Sequence, residues 1–259
     1  MSGEGTTLAR PAYPIESVDN ALTLLAMFGD GQPVRVSDAS ATIGVARSTA
    51  HRLLAMLQYH GFVKQDPVTR AYVAGPALLQ TGLRAVRKID VRNQARPFIE
   101  ALSRGTGETV HLVSLQGAEV LFLDSVESTR AVRVASRVGE MMPAHCTSAG
   151  KAVLAQLSPE ELDELFPDAG LRRLTDNSIG TRLELEAELE RIRKRGYATS
   201  GQEAEVGVGS VGVAIPVPAG RPKASLSVSA PVERLTKSVR EELAQQALAI
   251  VRQIGDVLH

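Results

Sequence analysis

The sequence predicts an α+β chain built as two units: a small helical one closed by a β-hairpin, and a larger one with a mostly antiparallel sheet flanked by helices. Three observations carry this. Apolar residues recur at helical spacing in three short segments before residue 60, and two short strand-like stretches follow at once. After residue 108 the alternation returns in several hairpin-spaced runs. The last segment, 236–258, is again apolar at helical spacing. A length of 259 residues suits one small and one medium domain.

The elements follow in order. Val18, Ala21, Leu22, Leu25 and Phe28 make the apolar face of a first helix, which GDGQP at 29–33 ends with turn residues. A shorter helix lies in VSDASATIG, with Ser37 as N-cap and Gly44 as its stop. The stretch ARSTAHRLLAMLQYHGF, 46–62, gives a third. Ala50, Leu53, Leu54 and Leu57 fall at i, i+3, i+4 and i+7, while Arg47, Ser48, His51 and Arg52 crowd the other side near the leading end. GFVKQDPVTRAYVAGP reads as two strands around a DPVT turn. Helix, helix, tight turn, helix and hairpin is the order of a winged helix-turn-helix. The B-DNA major groove admits one helix, whose N-terminal residues reach base edges. Arg47, Ser48, Thr49, His51 and Arg52 are therefore candidates for base contacts. Ser37 is a further DNA-contact candidate, and Lys64 and Arg70, in or beside the hairpin, are candidates for phosphate. The bland alternative is a small helical domain with a solvated face.

Charge favours the first reading. The formal net charge is zero, yet residues 34–96 carry ten Lys or Arg against three acids, while residues 1–33 carry one against four. That local excess points to a polyanion partner.

PALLQTGLRAVRKIDVRNQ reads as a basic linker helix. Ala95, Phe98, Ile99 and Leu102 then open the second unit, in a helix stopped at Gly105. ETVHLVSL and AEVLFLDSV form a hairpin around Gln116-Gly117, and VRVASRV reads as a further strand. A helix spans 147–157. Ser158 with Pro159 and Glu161, and Thr181 with Glu184, are capping signatures for two more, the second ending at Gly196. VGVAIPV and KASLSVSAP are strands joined by PAGRP, and the terminal helix closes the chain.

Several motifs are weighed and set aside. GVGSVG at 207–212 matches GxGxxG but runs into a strand instead of opening a helix, so its glycines read as a bend or a close approach. TSAGK lacks the first Gly of a phosphate loop, because His145 stands there. The single cysteine, Cys146, excludes an internal disulfide and a multi-cysteine zinc site, and beside His145 it leaves a metal or redox sensor as one alternative. Ser148 and Lys151 lie i, i+3 without an orienting third group, which leaves a small-molecule-binding enzyme as another. No catalytic residue, metal ligand or cofactor is assigned. Neither a secretory leader nor a membrane span is read, so a cytoplasmic chain is expected.

SVDNALTLLAMF, STAHRLLAMLQYHGFV and PAHCTSAGKAVLA together resemble the IclR family of bacterial transcription regulators, over nearly the whole chain after the N-terminal tail. The resemblance implies a winged helix-turn-helix, a linker helix and a GAF-like effector-binding domain. MSGEGTTLARPAYP, 1–14, is Gly/Pro-rich and polar and reads as a flexible tail, after which the DNA-binding domain falls at 15–76, the linker at 77–92 and the effector domain at 93–259. The resemblance also implies double-stranded, partly palindromic operator DNA, homodimers that often pair into dimers of dimers, and small organic acid effectors. Carried onto this chain, the family's pocket runs along Met142, Ser148 and Ala149, through Glu203, Val208 and Ser210, to Ser227 and Ser229. The chain departs in carrying Gly at 207, 209 and 212, which opens the pocket or loosens a loop. Ser225, Ser227 and Ser229 alternate with Leu226 and Val228, so one strand face is hydroxyl. With the helix start at Thr147, that face suits a carboxylate.

Overall fold

The computed structural model describes residues 13–29, 31–87, 90–216 and 223–258. Most of the expected N-terminal tail and the PAGRP turn lie outside these residues. The chain divides into two compact units, residues 1–88 and 89–259.

The first unit holds α1 (Glu16–Ala26), α2 (Val36–Ile43), α3 (Arg47–Tyr59), β1 (Val63–Gln65), β2 (Tyr72–Ala74) and α4 (Pro76–Arg87). Its core joins Leu24 and Phe28 of the first helical segment to Ala39, Ala50, Leu54 and Tyr72. The expected face of α3 is buried at Ala50, Leu54 and Leu57, with Leu53 half-buried. Each buried Leu on this face is worth about 1.5–3 kcal/mol relative to its exposed state. The face expected for α1 is corrected. Leu24 and Phe28 are buried, whereas Val18 and Leu22 stay 50% and 61% exposed. Ser37 is not the N-cap of α2. Arg35 holds that position, and the Asp38 carboxylate accepts from the Arg35 backbone N–H at 3.3 Å and from the Ser37 hydroxyl at 3.1 Å. Gly44 ends α2 at φ +69°, a left-handed conformation that only Gly adopts without strain. β1 and β2 pair antiparallel, and the Asp66 carboxylate ties their turn by accepting from the Val68 and Thr69 backbone N–H groups at 3.0 and 2.7 Å.

The second unit comprises α5 (Asp90–Thr106), β3 (Thr109–Gln116), β4 (Glu119–Val126), β5 (Met141–Pro143), α6 (Ser148–Leu154), α7 (Pro159–Leu165), α8 (Arg182–Arg195), β6 (Ala198–Gly201), β7 (Val208–Ala214), β8 (Ala224–Pro231) and α9 (Lys237–Leu258). Its sheet is antiparallel throughout, in the order β5-β4-β3-β8-β7-β6. Alternation divides the side chains between two faces. Val110, Leu112, Val211, Leu226 and Val228 meet α5 and α9 on one face. Val113, Phe122 and Ala198 meet α6, α7 and α8 on the other. Capping boxes at Ser158/Glu161 and Thr181/Glu184 start α7 and α8, as their spacing predicts.

Three expectations change here. VRVASRV is not a strand. Its backbone groups are taken by side chains: the Thr109 hydroxyl donates to the Val134 carbonyl at 2.6 Å, and Glu127 accepts from the Ser136 N–H at 3.1 Å. Residues 127–140 thus run as a loop. The helix expected over 147–157 is shorter, and its Thr147 hydroxyl accepts from the Gly150 N–H at 2.9 Å. The four-residue β6 carries too little pattern to have been read. Gly212 is a true close approach, since a Cβ there would stand 2.4 Å from the Ser148 carbonyl carbon and 2.6 Å from the Ala149 nitrogen. The backbone of α6 therefore lies directly on β7.

Candidate functional site

In the first unit, the turn around Gly44 presents the start of α3. Arg47, Ser48, Thr49, His51 and Arg52 are all exposed there. Ala46 caps α3 without a side-chain bond, and its first turn holds no acid. The leading backbone N–H groups and the positive dipole end are thus uncompensated by the protein, an arrangement that favours anions. Among the described residues, Arg47, Arg52 and Arg70 form no ion pair. Lys64 and Arg70 are exposed on or beside the hairpin, with Arg70 at φ +60° in its turn, and Ser37 is exposed in the first turn of α2.

In the second unit, register assembles a polar patch from distant segments. Thr109 of β3 pairs with Ser229 of β8, Ser229 with Ser210 of β7, and Ser210 with Ser200 of β6. Four hydroxyls therefore cross four strands in one row. In the next row Ser125 of β4 faces His111 of β3, and His111 faces Ser227 of β8. The α6 segment packs on part of this face. Ser148 and Ser210 share a hydrogen bond of 2.7 Å, and the Ser225 hydroxyl donates to the Ala149 carbonyl at 2.8 Å. Loop 127–140 lies over the Thr109 end, where Val134 and Val208 line a cleft of about 550 Å³ with Arg137, Glu205 and Pro231. Arg137 forms ion pairs with Glu140 and Glu205, and its N–H also points at the Met142 sulfur at 3.8 Å.

Of the residues expected in a pocket, Met142, Ser148, Ser210, Ser227 and Ser229 gather around this face, and Val208 lines the cleft. Ala149 is buried between α6 and the sheet. Glu203 goes elsewhere. Its carboxylate meets the buried Lys151 ammonium at 2.5 Å, beside a separate cleft of about 640 Å³ that includes Arg173, Glu188 and Arg195. Burial pushes the Glu203 carboxyl up from its ordinary range, against the opposing pull of Lys151. This pairing also takes Lys151 from Ser148, so the two do not form a nucleophile and base. The anion role expected of the α6 start is weakened too, because Thr147 occupies one of its N–H groups and the helix has only seven residues.

His145 and Cys146 both turn to the Arg172 carbonyl, at 2.8 and 3.7 Å. Burial lowers the His145 pKa and raises the Cys146 thiol, which disfavours a thiolate. Among the described residues no three of His, Cys, Asp and Glu stand close enough to share a metal ion. Reading the sequence missed Arg137 and Thr109 and did not place His111 in this patch. The strand alternation ETVHLVSL did place Thr109 and His111 on one face, but nothing local says what covers it.

Residues 83–256 match the model of the bacterial transcriptional regulator IclR C-terminal domain, and residues 17–67 match that of the IclR helix-turn-helix domain. The chain belongs to the IclR family. It is 34% identical over 246 residues to the HTH-type transcriptional regulator XynR of Escherichia coli K12, covering 93% of this chain and 98% of that one. The BhcR regulator of Paracoccus denitrificans is 29% identical, over 93% and 86%. Among solved structures, the IclR protein of Thermotoga maritima superposes with a TM-score of 0.76 at 31% identity, over 92% of this chain and 98% of that one. An IclR homologue of Microbacterium hydrocarbonoxydans, complexed with 4-hydroxybenzoate, shares the fold with a TM-score of 0.78 at 24% identity, over 92% and 98%. Like its IclR-family relatives, the chain is a transcriptional regulator and not an enzyme, with a helix-turn-helix DNA-binding unit and an IclR C-terminal domain. No described helix is long and apolar enough to cross a membrane.

Proposed function

We propose that this regulator binds a pseudo-palindromic operator as a homodimer, further paired into a dimer of dimers, and answers a small organic acid. Residues 15–76 read DNA, 77–92 link and 93–259 sense, with 1–14 as a tail. A DNA-binding bacterial regulator works where the chromosome is, in the cytoplasm. The observation that carries the DNA reading is the leading turn of α3, exposed, basic, without an acid and without an ion pair at Arg47 or Arg52. Ser37, Ser48, Thr49 and His51 share that surface, and Lys64 and Arg70 meet phosphate. The dimer is supported by α1, where Ile15, Val18 and Leu22 form an exposed apolar ridge at 67%, 50% and 61%. A second copy of the chain covers it, and the twofold axis doubles a recognition site too short for one genomic address.

The acid reading rests on the hydroxyl patch of Ser210, Ser227 and Ser229 beside the Arg137 guanidinium, with Met142, Ala149 and Val208 as its apolar surroundings. Arg137 exchanges Glu205 and Glu140 for the ligand carboxylate. Fluorescence anisotropy with duplexes tiled from the DNA upstream of its own gene, with and without a panel of carboxylic acids that includes 4-hydroxybenzoate, tests both parts. A specific duplex whose affinity shifts with one acid is expected. Failure of every duplex to bind above random DNA would sink the operator reading. Binding that no acid alters would sink the effector reading.

A further inference from the structure

His111 is 1% exposed, and neither ring nitrogen has a hydrogen-bond partner. The Ser125 hydroxyl directly across from it on β4 is likewise buried and unpartnered. On its other side, neither the Ser227 hydroxyl nor the Ser229 hydroxyl makes a hydrogen bond among the described residues. Four adjacent polar side chains on one face are thus unspent, where folded interiors leave only a few such groups per hundred residues. The other hydroxyls of the patch are spent: Thr109 on Val134, Ser210 on Ser148, and Ser200 on the Cys146 carbonyl at 3.4 Å. The Phe122 ring stands edge-on to the imidazole at 5.3 Å and leaves its nitrogens no donor or acceptor. The charges that act on His111 are Arg137 and Glu127, both on the covering loop.

We propose that the His111 imidazole hydrogen-bonds a hydroxyl of the bound acid, and so selects hydroxylated carboxylates over unsubstituted ones. The inference rests on the acid-binding reading of this patch and deepens it. Burial, with Arg137 nearby, lowers the His111 pKa to about 4, so the ring is neutral at ordinary pH and offers one donor and one acceptor. A ligand hydroxyl can pair with either nitrogen, donating to one or accepting from the other, without bringing charge into the interior. A carboxylate at this depth would be buried against neutral partners, which is costly. The ligand therefore lies with its carboxylate toward Arg137 and its hydroxyl toward His111, Ser227 and Ser125.

The test uses matched acids on the full chain by titration calorimetry: hydroxybenzoates against benzoate, lactate against propionate, and gluconate against hexanoate. For any pair that binds, the hydroxylated member is expected to bind at least about tenfold tighter, because a site built for a hydroxyl leaves buried groups unpaired with its analogue. His111→Phe, checked for cooperative unfolding, is expected to bring that ratio close to one while the unsubstituted acid keeps its affinity. His111→Gln, which retains a donor and an acceptor, is expected to restore part of the preference, and covers the case in which His111→Phe fails to fold. Acids that bind the wild type with no preference for the hydroxyl, or a preference that His111→Phe leaves intact, overturn this proposal and spare the acid-binding reading. If no acid binds the wild type, that reading falls and takes this proposal with it.

Discussion

At the scale of single residues, position decides whether a charge reads or merely holds. In the proposed operator complex Arg52 and Arg47 lie where a major-groove helix meets base edges, and a bidentate Arg–guanine contact is worth about 1–3 kcal/mol of discrimination. Arg52→Ala is therefore expected to lower the ratio of specific to random-duplex affinity, measured by anisotropy at fixed salt. Arg70→Ala, in the turn of the hairpin, is expected instead to weaken all duplexes equally and to reduce the log–log salt slope by about 0.9. His111 gives a prediction in pH. Its folded pKa is depressed to about 4 from 6.5, so the unfolded chain binds its proton first as pH falls. The stability it confers is complete above pH 6.5 and is lost on the way down to about 4, a change of roughly 3 kcal/mol. Denaturant unfolding across that range should show a smaller pH slope in His111→Phe than in the wild type. An identical slope would place the acid sensitivity on other groups.

At the scale of elements, two helices show how a face can be read correctly as apolar and still be misassigned. The periodicity of α1 names Val18 and Leu22 alongside Phe28, but only part of that arc fits against α2 and α3, and Ile15, Val18 and Leu22 are left outside. Leu22→Glu is expected to leave the helical circular dichroism unchanged and to shift sedimentation toward monomer, with operator affinity falling together with the dimer. A dimer that survives it would put the interface elsewhere. The opposite case is α6, whose ordinary SAGKAVL pattern hides how closely it sits on β7. Gly212→Ala would drive a methyl group to 2.4 Å from the Ser148 carbonyl. Overpacking of this kind costs typically 1–3 kcal/mol, so a lowered midpoint in thermal unfolding is expected. Because the strain falls on Ser148, whose hydroxyl bonds Ser210, acid affinity should fall with it.

At the scale of the whole molecule, ligand response requires that acid binding and operator binding share a free energy. Such coupling is typically 1–3 kcal/mol, or about five- to 150-fold, and it is reciprocal. If an acid changes operator affinity by a given factor, saturating operator must change acid affinity by the same factor. Titration of the acid into free protein and into the protein–operator complex checks this. Unequal factors would mean that the acid also acts outside the binding equilibrium, for instance by altering dimerisation.

Much was legible because it is local. The buried arc Ala50, Leu54 and Leu57 is a property of thirteen consecutive residues. The capping boxes at Ser158 and Thr181 need only a hydroxyl and a Glu three positions on, and the positive excess of residues 34–96 needs only counting. The order helix, helix, helix, hairpin then sufficed for the DNA-binding unit, because each of its elements neighbours the next. The proposed acid site was half legible. Alternation put Ser225, Ser227 and Ser229 on one strand face. Only the strand order β5-β4-β3-β8-β7-β6 set Ser227 beside His111 and Ser229 between Thr109 and Ser210. The same order left Glu203 to Lys151 and made loop 127–140 a cover instead of a strand. Periodicity states which residues share a face. What that face meets depends on pairings between segments more than a hundred residues apart, and only the closed tertiary structure decides them.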